Sequence, residues 1–429
     1  MAVDISTHFR SILAVYEESA SGQGPGYTAV LPQGTQAGWS ASDIAGDAVR
    51  MRHVEASVDW MKITKIEDES LLDGVFAKNV MLDGLPDLSG GSIVIPIGGA
   101  GVTTADATQI AEQSFGRMMR NAVGGYDRTN ETALTGGTDA NTFAVTAVTN
   151  ISDGHLVAVS DNDDADGKCY PVLIDSISTL TIDSRMDLPF TPAASDICHA
   201  AEVFYPDPDA LNPSSVNYTT LSLLYAKGSQ TWLATGGQLE FVGLDWARGA
   251  QAKASFNVWG SQVFLPGTAP AEPASWSGSV EGVSGEAAGL NTYFKVTPVG
   301  TTASVCVDAQ SLSFKAGVPV TPMDVGTSCT GNGRFGYTTS PGDTTLDCQA
   351  FMDTAYFDGM DDNTRYRVEL FQVGPEGQGW CIVLPNARLS KADYAQGNGV
   401  NMLSLTFMGY EQPDGTDALT KAKWLFARY

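Results

Sequence analysis

The chain has 429 residues, of which 43% are hydrophobic and 17% charged, with 46 Gly and 20 Pro. That length suits roughly two to four domains, and the glycine and proline content argues against a coiled coil or helical bundle. Lys and Arg total 24 against 49 Asp and Glu, a formal net charge of −25, so the summed field repels nucleic acid and anionic lipid and argues against an adhesive DNA-binding role. No run reaches the ~18 to 20 unbroken apolar residues of a membrane helix. The opening MAVDISTHFRSILAVYEESA lacks the basic-then-apolar layout of a secretory signal. The expectation is a soluble, non-exported protein with no membrane partner. The cysteines, Cys169, Cys198, Cys306, Cys329, Cys348 and Cys381, form no CxxC pair and read as small buried side chains in a reducing compartment.

In chain order, residues 1–53 carry Gly22, Gly24, Pro25, Gly26, Pro32, Gly34 and Gly38, too many breaks for a helix, and are read as an N-terminal extended arm. Short apolar runs such as VDWMKITKI, GVFAKNVML and GGSIVIPIGG then signal strands from residue 54 onward. One helix is predicted, capped by Thr103 or Thr104, with Ala111, Phe115, Met118 and Ala122 as one apolar stripe and Gly124-Gly125 as its stop. Residues 130–210 read as an inserted β module of four short strands, NTFAVTAVT, GHLVAVSD, KCYPVLID and STLTIDS. Residues 264–295 have linker composition, rich in Pro, Gly, Ala and Ser.

An internal repeat organises the remainder. Tyr218 precedes Trp232, and Tyr366 precedes Trp380, by the same 14 residues, with Gly228 and Gly374 nearby and alternating strands ASFNVWG and LSLTFMG ending at Gly260 and Gly409. Upstream, LSGGSIVIPIGG and GDTTLDCQAFMD correspond loosely. The fold class predicted is mainly β: two tandem β-sandwich domains, 54–263 and 296–411, each with a flanking helix or helical loop, plus the inserted module. Sheets of this kind leave edge strands that an assembly can pair between subunits.

The segments LAVYEESASGQGPGYTAV, GGQLEFVGLDWARGAQAKASFNVWG, DAQSLSFKAGVPVTP and WCIVLPNARLSKADYAQGNGVNMLSLTFMGYE resemble the major tail tube proteins of long, non-contractile-tailed bacteriophages. The resemblance covers about half the chain. It implies tail-tube-like β-sandwiches that close into rings and stack into a tube, the conduit for phage DNA ejection. Two tandem domains imply a three-subunit ring. The same resemblance implies the virion tail as location, the host cytoplasm during assembly, and tape measure, tail terminator and distal tail proteins as partners. Genomic DNA would pass through the lumen without specific binding, helped by a negative wall. The alternative is another virion surface protein, a capsid decoration or a receptor-binding adhesin, with a carbohydrate-active enzyme as a further rival.

Chemical motifs are sparse. NDDADG places Asn162, Asp164 and Asp166 at positions 1, 3 and 5 of a calcium loop with Gly167 at 6, but Leu173 stands where the bidentate Glu belongs, so an Asp-Gly turn is expected. YPDPDAL and DGMDDN read as acidic turns. His155, Cys169, Cys198 and His199 fit no zinc-finger spacing, and adjacent Cys198 and His199 on a strand point to opposite faces. With no GxSxG, P-loop, GxGxxG or HExxH, the sequence predicts no catalytic residue, no cofactor and no metal, hence no enzyme. Trp232, Trp246, Trp259 and Trp380 are read as core rather than sugar-stacking aromatics. Residues 412–429, ending KAKWLFARY, are read as a basic, aromatic C-terminal arm reaching a neighbouring subunit, with a final strand or docked tail as the alternative. Their removal is expected to leave a folded monomer that fails to stack.

Overall fold

The computed structural model describes residues 11–19, 49–51, 66–68, 80–82, 88–99, 114–162, 167–212, 219–227, 230–260, 262–264, 291–301, 304–324, 334–351, 364–397 and 400–429. It is mainly β. The first described elements are β1 (Ser11–Ser19), β2 (Val49–Met51), a small hairpin of β3 (Ile66–Asp68) and β4 (Val80–Leu82), and β5 (Leu88–Pro96). Residues 1–53 are therefore not wholly an arm: β1 pairs along its whole length with β14 (Thr219–Lys227), and β2 pairs with β1. The contiguous, β-prone run ILAVY within this nine-residue strand favours pairing despite the glycines that follow it.

Helix α1 (Ser114–Val123) buries Phe115, Met118 and Ala122 of the predicted stripe, with Met119 and Val123 beside them. Gly124 ends it with φ +81°, a left-handed geometry that glycine adopts at little cost. Thr103, Thr104 and Ala111 lie outside the described residues. Asn121 docks the helix: its Oδ1 accepts from Leu239 N at 2.7 Å and its Nδ2 donates to the Gly237 carbonyl.

After β6 (Gly124–Arg128) come β7 (Thr132–Gly137), β8 (Thr142–Val145), β9 (Leu156–Ser160), β10 (Cys169–Ser178), β11 (Thr181–Ser184) and β12 (Ile197–His199). They close into a barrel in the order β10-β11-β8-β7-β12-β9, filled by Leu134, Phe143, Val157, Val159, Val172, Ile174 and Ile182. Four of the six strands are those read from the sequence. The others, β7 and β12, close the barrel and thereby remove its edges.

The repeat is visible as two meanders. β14, β15 (Gln230–Ala247) and β16 (Lys253–Gly260) match β24 (Arg365–Gln372), β25 (Trp380–Gly397) and β26 (Val400–Gly409) in order. The middle strand has 18 residues in both copies. Its pairing to the third strand is broken by a bulge nine residues after the repeat's tryptophan, between Phe241 and Gly243 in one copy and Leu389 and Lys391 in the other. A bulge bends the strand and lets its two halves serve different neighbours. The third strand of each copy also pairs with the expected upstream strand: β16 with β5, and β26 with β23 (Thr344–Phe351).

The two copies do not form separate sheets. After β17 (Gln262–Phe264), β18 (Thr292–Pro298) begins inside the expected linker and pairs with β24, flanked by β19 (Val305–Cys306). β20 (Ala309–Lys315) then joins β15 of the first copy to β23 of the second, while β21 (Val320–Asp324) and β22 (Arg334–Thr339) stand apart as a hairpin. The run β5-β16-β15-β20-β23-β26-β25 is continuous, and one core containing Ile93, Phe256, Phe314, Leu346, Leu405 and Phe407 serves both copies.

The C-terminal segment is structural, which corrects the reading of an arm. After the one-turn helix α2 (Ala418–Lys421), β27 (Leu425–Arg428) inserts between β25 and β13 (Glu202–Pro206). Trp424, Phe426 and Tyr429 are buried, and the Trp424 indole packs on Phe241 and Phe314 and donates to the Ala316 carbonyl at 2.9 Å. Arg428, 1% exposed, pairs with Glu202, 0% exposed, at 3.0 Å. The basic residue that suggested a surface contact is thus neutralised 226 positions away in the chain.

Candidate functional site

The long sheet has one face on the core and one facing solvent, as the alternation of β16 dictates: Ala254, Phe256 and Val258 are buried while Lys253, Ser255 and Asn257 are not. Across the solvent face, cross-strand neighbours line up as Lys253, Asp245, Ser313, Asp347, Thr406 and Lys391. The Ser313 hydroxyl donates to Asp245 at 2.7 Å, Thr406 donates to Asp347, and Lys391 pairs with Asp393 at 2.6 Å. Lys253, Lys315, Arg388 and Lys391 lie beside Glu240, Asp245, Asp347 and Asp393. This face carries both signs of charge, with Ser313–Asp245, Thr406–Asp347 and Lys391–Asp393 bonded to each other.

The sheet is also joined to itself at a definite place. Beyond its bulge, the outer half of β15 pairs with β20 through Gly243↔Lys315, Leu244↔Phe314, Asp245↔Ser313, Trp246↔Leu312 and Ala247↔Ser311. Trp246 is thereby reduced to 7% exposure on the core side. Gly243 permits the approach, since a Cβ there would lie 1.8 Å from the Phe314 carbonyl oxygen. Gly243→Ala should therefore cost about 1–3 kcal/mol by overpacking. A lowered midpoint in thermal unfolding would register it, and an unchanged midpoint would show that the junction yields freely.

Among the described residues, the second copy presents the same half-strand without a paired strand on that edge. At the 148-residue spacing that separates Trp232 from Trp380, Asp245-Trp246-Ala247-Arg248-Gly249 matches Asp393-Tyr394-Ala395-Gln396-Gly397. β25 pairs with β24 up to Arg388 and with β26 from Ala387 onward, and among the described residues no strand occupies the β24 edge beyond Arg388. Tyr394 is 70% exposed where Trp246 is 7%. This shared D-aromatic-A-x-G motif could have been found from the sequence by extending the repeat past its tryptophan.

The chemical candidates are distributed differently. Asn162 bonds the Ser195–Asp196 turn and Leu173 lies in the barrel wall, whereas Asp164 and Asp166 lie outside the described residues, as does DGMDDN. Asp207 accepts from the amides of Asp209 and Ala210, the acidic turn expected of YPDPDAL. The four His and Cys residues do not converge. His155 meets Asp127 at 3.5 Å; Cys198 lies in the barrel core and Cys169 in a separate cluster, both thiols pushed up to about 12 by burial. His199 instead turns toward Glu131 and Glu376, which spacing did not suggest because they are far apart in the chain. Trp246 and Trp380 are buried in the core, and Trp380 donates to Gln372 at 2.8 Å.

No protein-family profile matches the chain, and no curated protein matches it. Among solved structures, the crystal structure of an Hcp protein is similar over 27% of this chain and 86% of that one, at 14% identity and a TM-score of 0.18. Mutant Hcp1 protein from E. coli EAEC 042 pathovar is similar over 30% of this chain and 98% of that one, at 10% identity and a TM-score of 0.18. At these scores the likeness carries no argument, and the repeat geometry has to bear the functional reading.

Proposed function

We propose that the chain is a structural subunit that closes into rings edge to edge and stacks into a tube, with no catalytic role. The observation that carries the reading is the open counterpart of the internal junction: Tyr394 occupies in the second copy the position that Trp246 fills beneath β20 in the first. A surface complementary to one end of the molecule and presented at the other makes a heterologous contact, which generates a ring when the rotation closes. Lys391 stands where Gly243 admits a carbonyl, so the contact between chains starts one residue later, at Ala392. Charged Lys391 and Asp393 on the waiting edge discourage indiscriminate strand addition.

Two copies per chain make a ring of three chains pseudo-sixfold. The mixed-charge face then lines the lumen, where short hydroxyl-bearing and paired side chains offer a polyanion no continuous basic track. This supports the finer reading of a phage tail tube passing DNA, with tape measure, terminator and distal tail proteins as partners. Negative-stain electron microscopy over a concentration series tests it: hollow rings or tubes are expected, and compact particles without a central hole would sink the proposal.

A further inference from the structure

Where the barrel meets the second copy, three ligand-type side chains converge. Glu131 precedes β7, His199 ends β12, and Glu376 lies in the turn between β24 and β25. The backbone already crosses here, Cys169 N donating to the Gly374 carbonyl at 2.9 Å. One donor atom from each of the three lies within 4.8 Å of the others. His199 Nδ1 stands 3.7 Å from Glu131 Oε2 and 3.6 Å from Glu376 Oε1.

The histidine sets this apart from an acidic cluster. Its side chain is 7% exposed, and among the described residues Nδ1 has no hydrogen-bond partner, although it points between two carboxylates. Such an orphaned buried atom calls for an explanation. The other nitrogen, Nε2, sits 2.9 Å from Ser160 Oγ. That bond allows Nε2 to carry the proton and leaves the Nδ1 lone pair facing the carboxylates, as outer-shell partners of metal-bound histidines do. A buried lone pair facing two carboxylates is an arrangement that a bound cation relieves.

We infer that Glu131, His199 and Glu376 form a site for a divalent first-row transition ion of the Zn²⁺ type, clamping the barrel to the second copy. One imidazole nitrogen and two carboxylate oxygens are a borderline donor set, unlike the all-oxygen cages of Ca²⁺ and Mg²⁺. Tetrahedral Zn²⁺ with donors at about 2.0–2.1 Å holds them about 3.3–3.4 Å apart, so the three groups need close by only a few tenths of an ångström to about 1.5 Å. Glu131 and Glu376 are 27% and 33% exposed, which provides an entry path and leaves the remaining coordination position to water.

The test is titration of the full-length, chelator-treated protein with ZnCl₂, followed by calorimetry and thermal unfolding. Expected are about one tight Zn²⁺ per chain, a rise in the unfolding midpoint, and at least a 100-fold loss of affinity in Glu131→Gln/Glu376→Gln, with Ca²⁺ at equal concentration inactive. Tight binding unchanged in the double variant, or no binding to the wild type at 100 µM Zn²⁺, would overturn the site. Should the double variant fail to fold, X-ray absorption of the zinc-loaded wild type decides: a nitrogen and oxygen shell supports the inference, and sulfur ligands refute it.

Discussion

Tyr394→Arg is expected to abolish assembly and leave the fold untouched. The side chain is 70% exposed at the outer end of β25, so a charge there costs the isolated chain little. In the ring it would be buried as Trp246 is, and an aromatic anchor at an interface centre is commonly worth about 2 kcal/mol or more on truncation, roughly 30-fold in affinity per contact. Burying an unpaired guanidinium adds to that loss. The variant should sediment as a monomer with an unchanged unfolding midpoint at concentrations where the wild type forms rings. The matching change Trp246→Arg should instead unfold the protein, because Leu312 and β20 already cover that site. If Tyr394→Arg assembles like the wild type, the ring contact lies elsewhere.

The second large effect concerns the C-terminal strand. Arg428→Met leaves Glu202 buried at 0% exposure without its guanidinium, with Tyr126 Oη donating to it at 3.2 Å. Breaking a buried pair by removing one partner costs about 3–5 kcal/mol, whereas replacing both partners by apolar groups is often neutral. Glu202→Leu/Arg428→Met should therefore recover most of what Arg428→Met loses in chemical denaturation. Removing residues 412–429 would take out Trp424 and the strand between β13 and β25, so truncation should unfold the protein rather than yield a soluble, non-stacking monomer. Equal denaturation midpoints for Arg428→Met and the wild type would contradict this account of the pair.

What was legible in the sequence follows from physics that is local. Alternation in ASFNVWG and LSLTFMG, the stop at Gly124 and the turn residues between short strands each act over a few positions, and they identified the repeat, the end of α1 and four barrel strands. The rest depends on pairing across long separations. β12 is three residues long, too short to show a period, and is defined by β7 and β9 on its two sides. KAKWLFARY reads as a basic arm until Glu202 is placed against Arg428. His199 and Glu376 meet only because the barrel rests on the β24–β25 turn. The equivalence of Trp246 and Tyr394 was present in the repeat, yet its meaning comes from their 7% and 70% exposure, which only the fold sets.

Whether each chain contributes two pseudo-equivalent positions to a closed ring can be read from native mass spectrometry of the smallest ring. Three copies of the 45.2 kDa chain are expected, and three copies again in every thin slice of a tube. A ring of six chains, or a twofold dimer with Tyr394 against Tyr394, would contradict it.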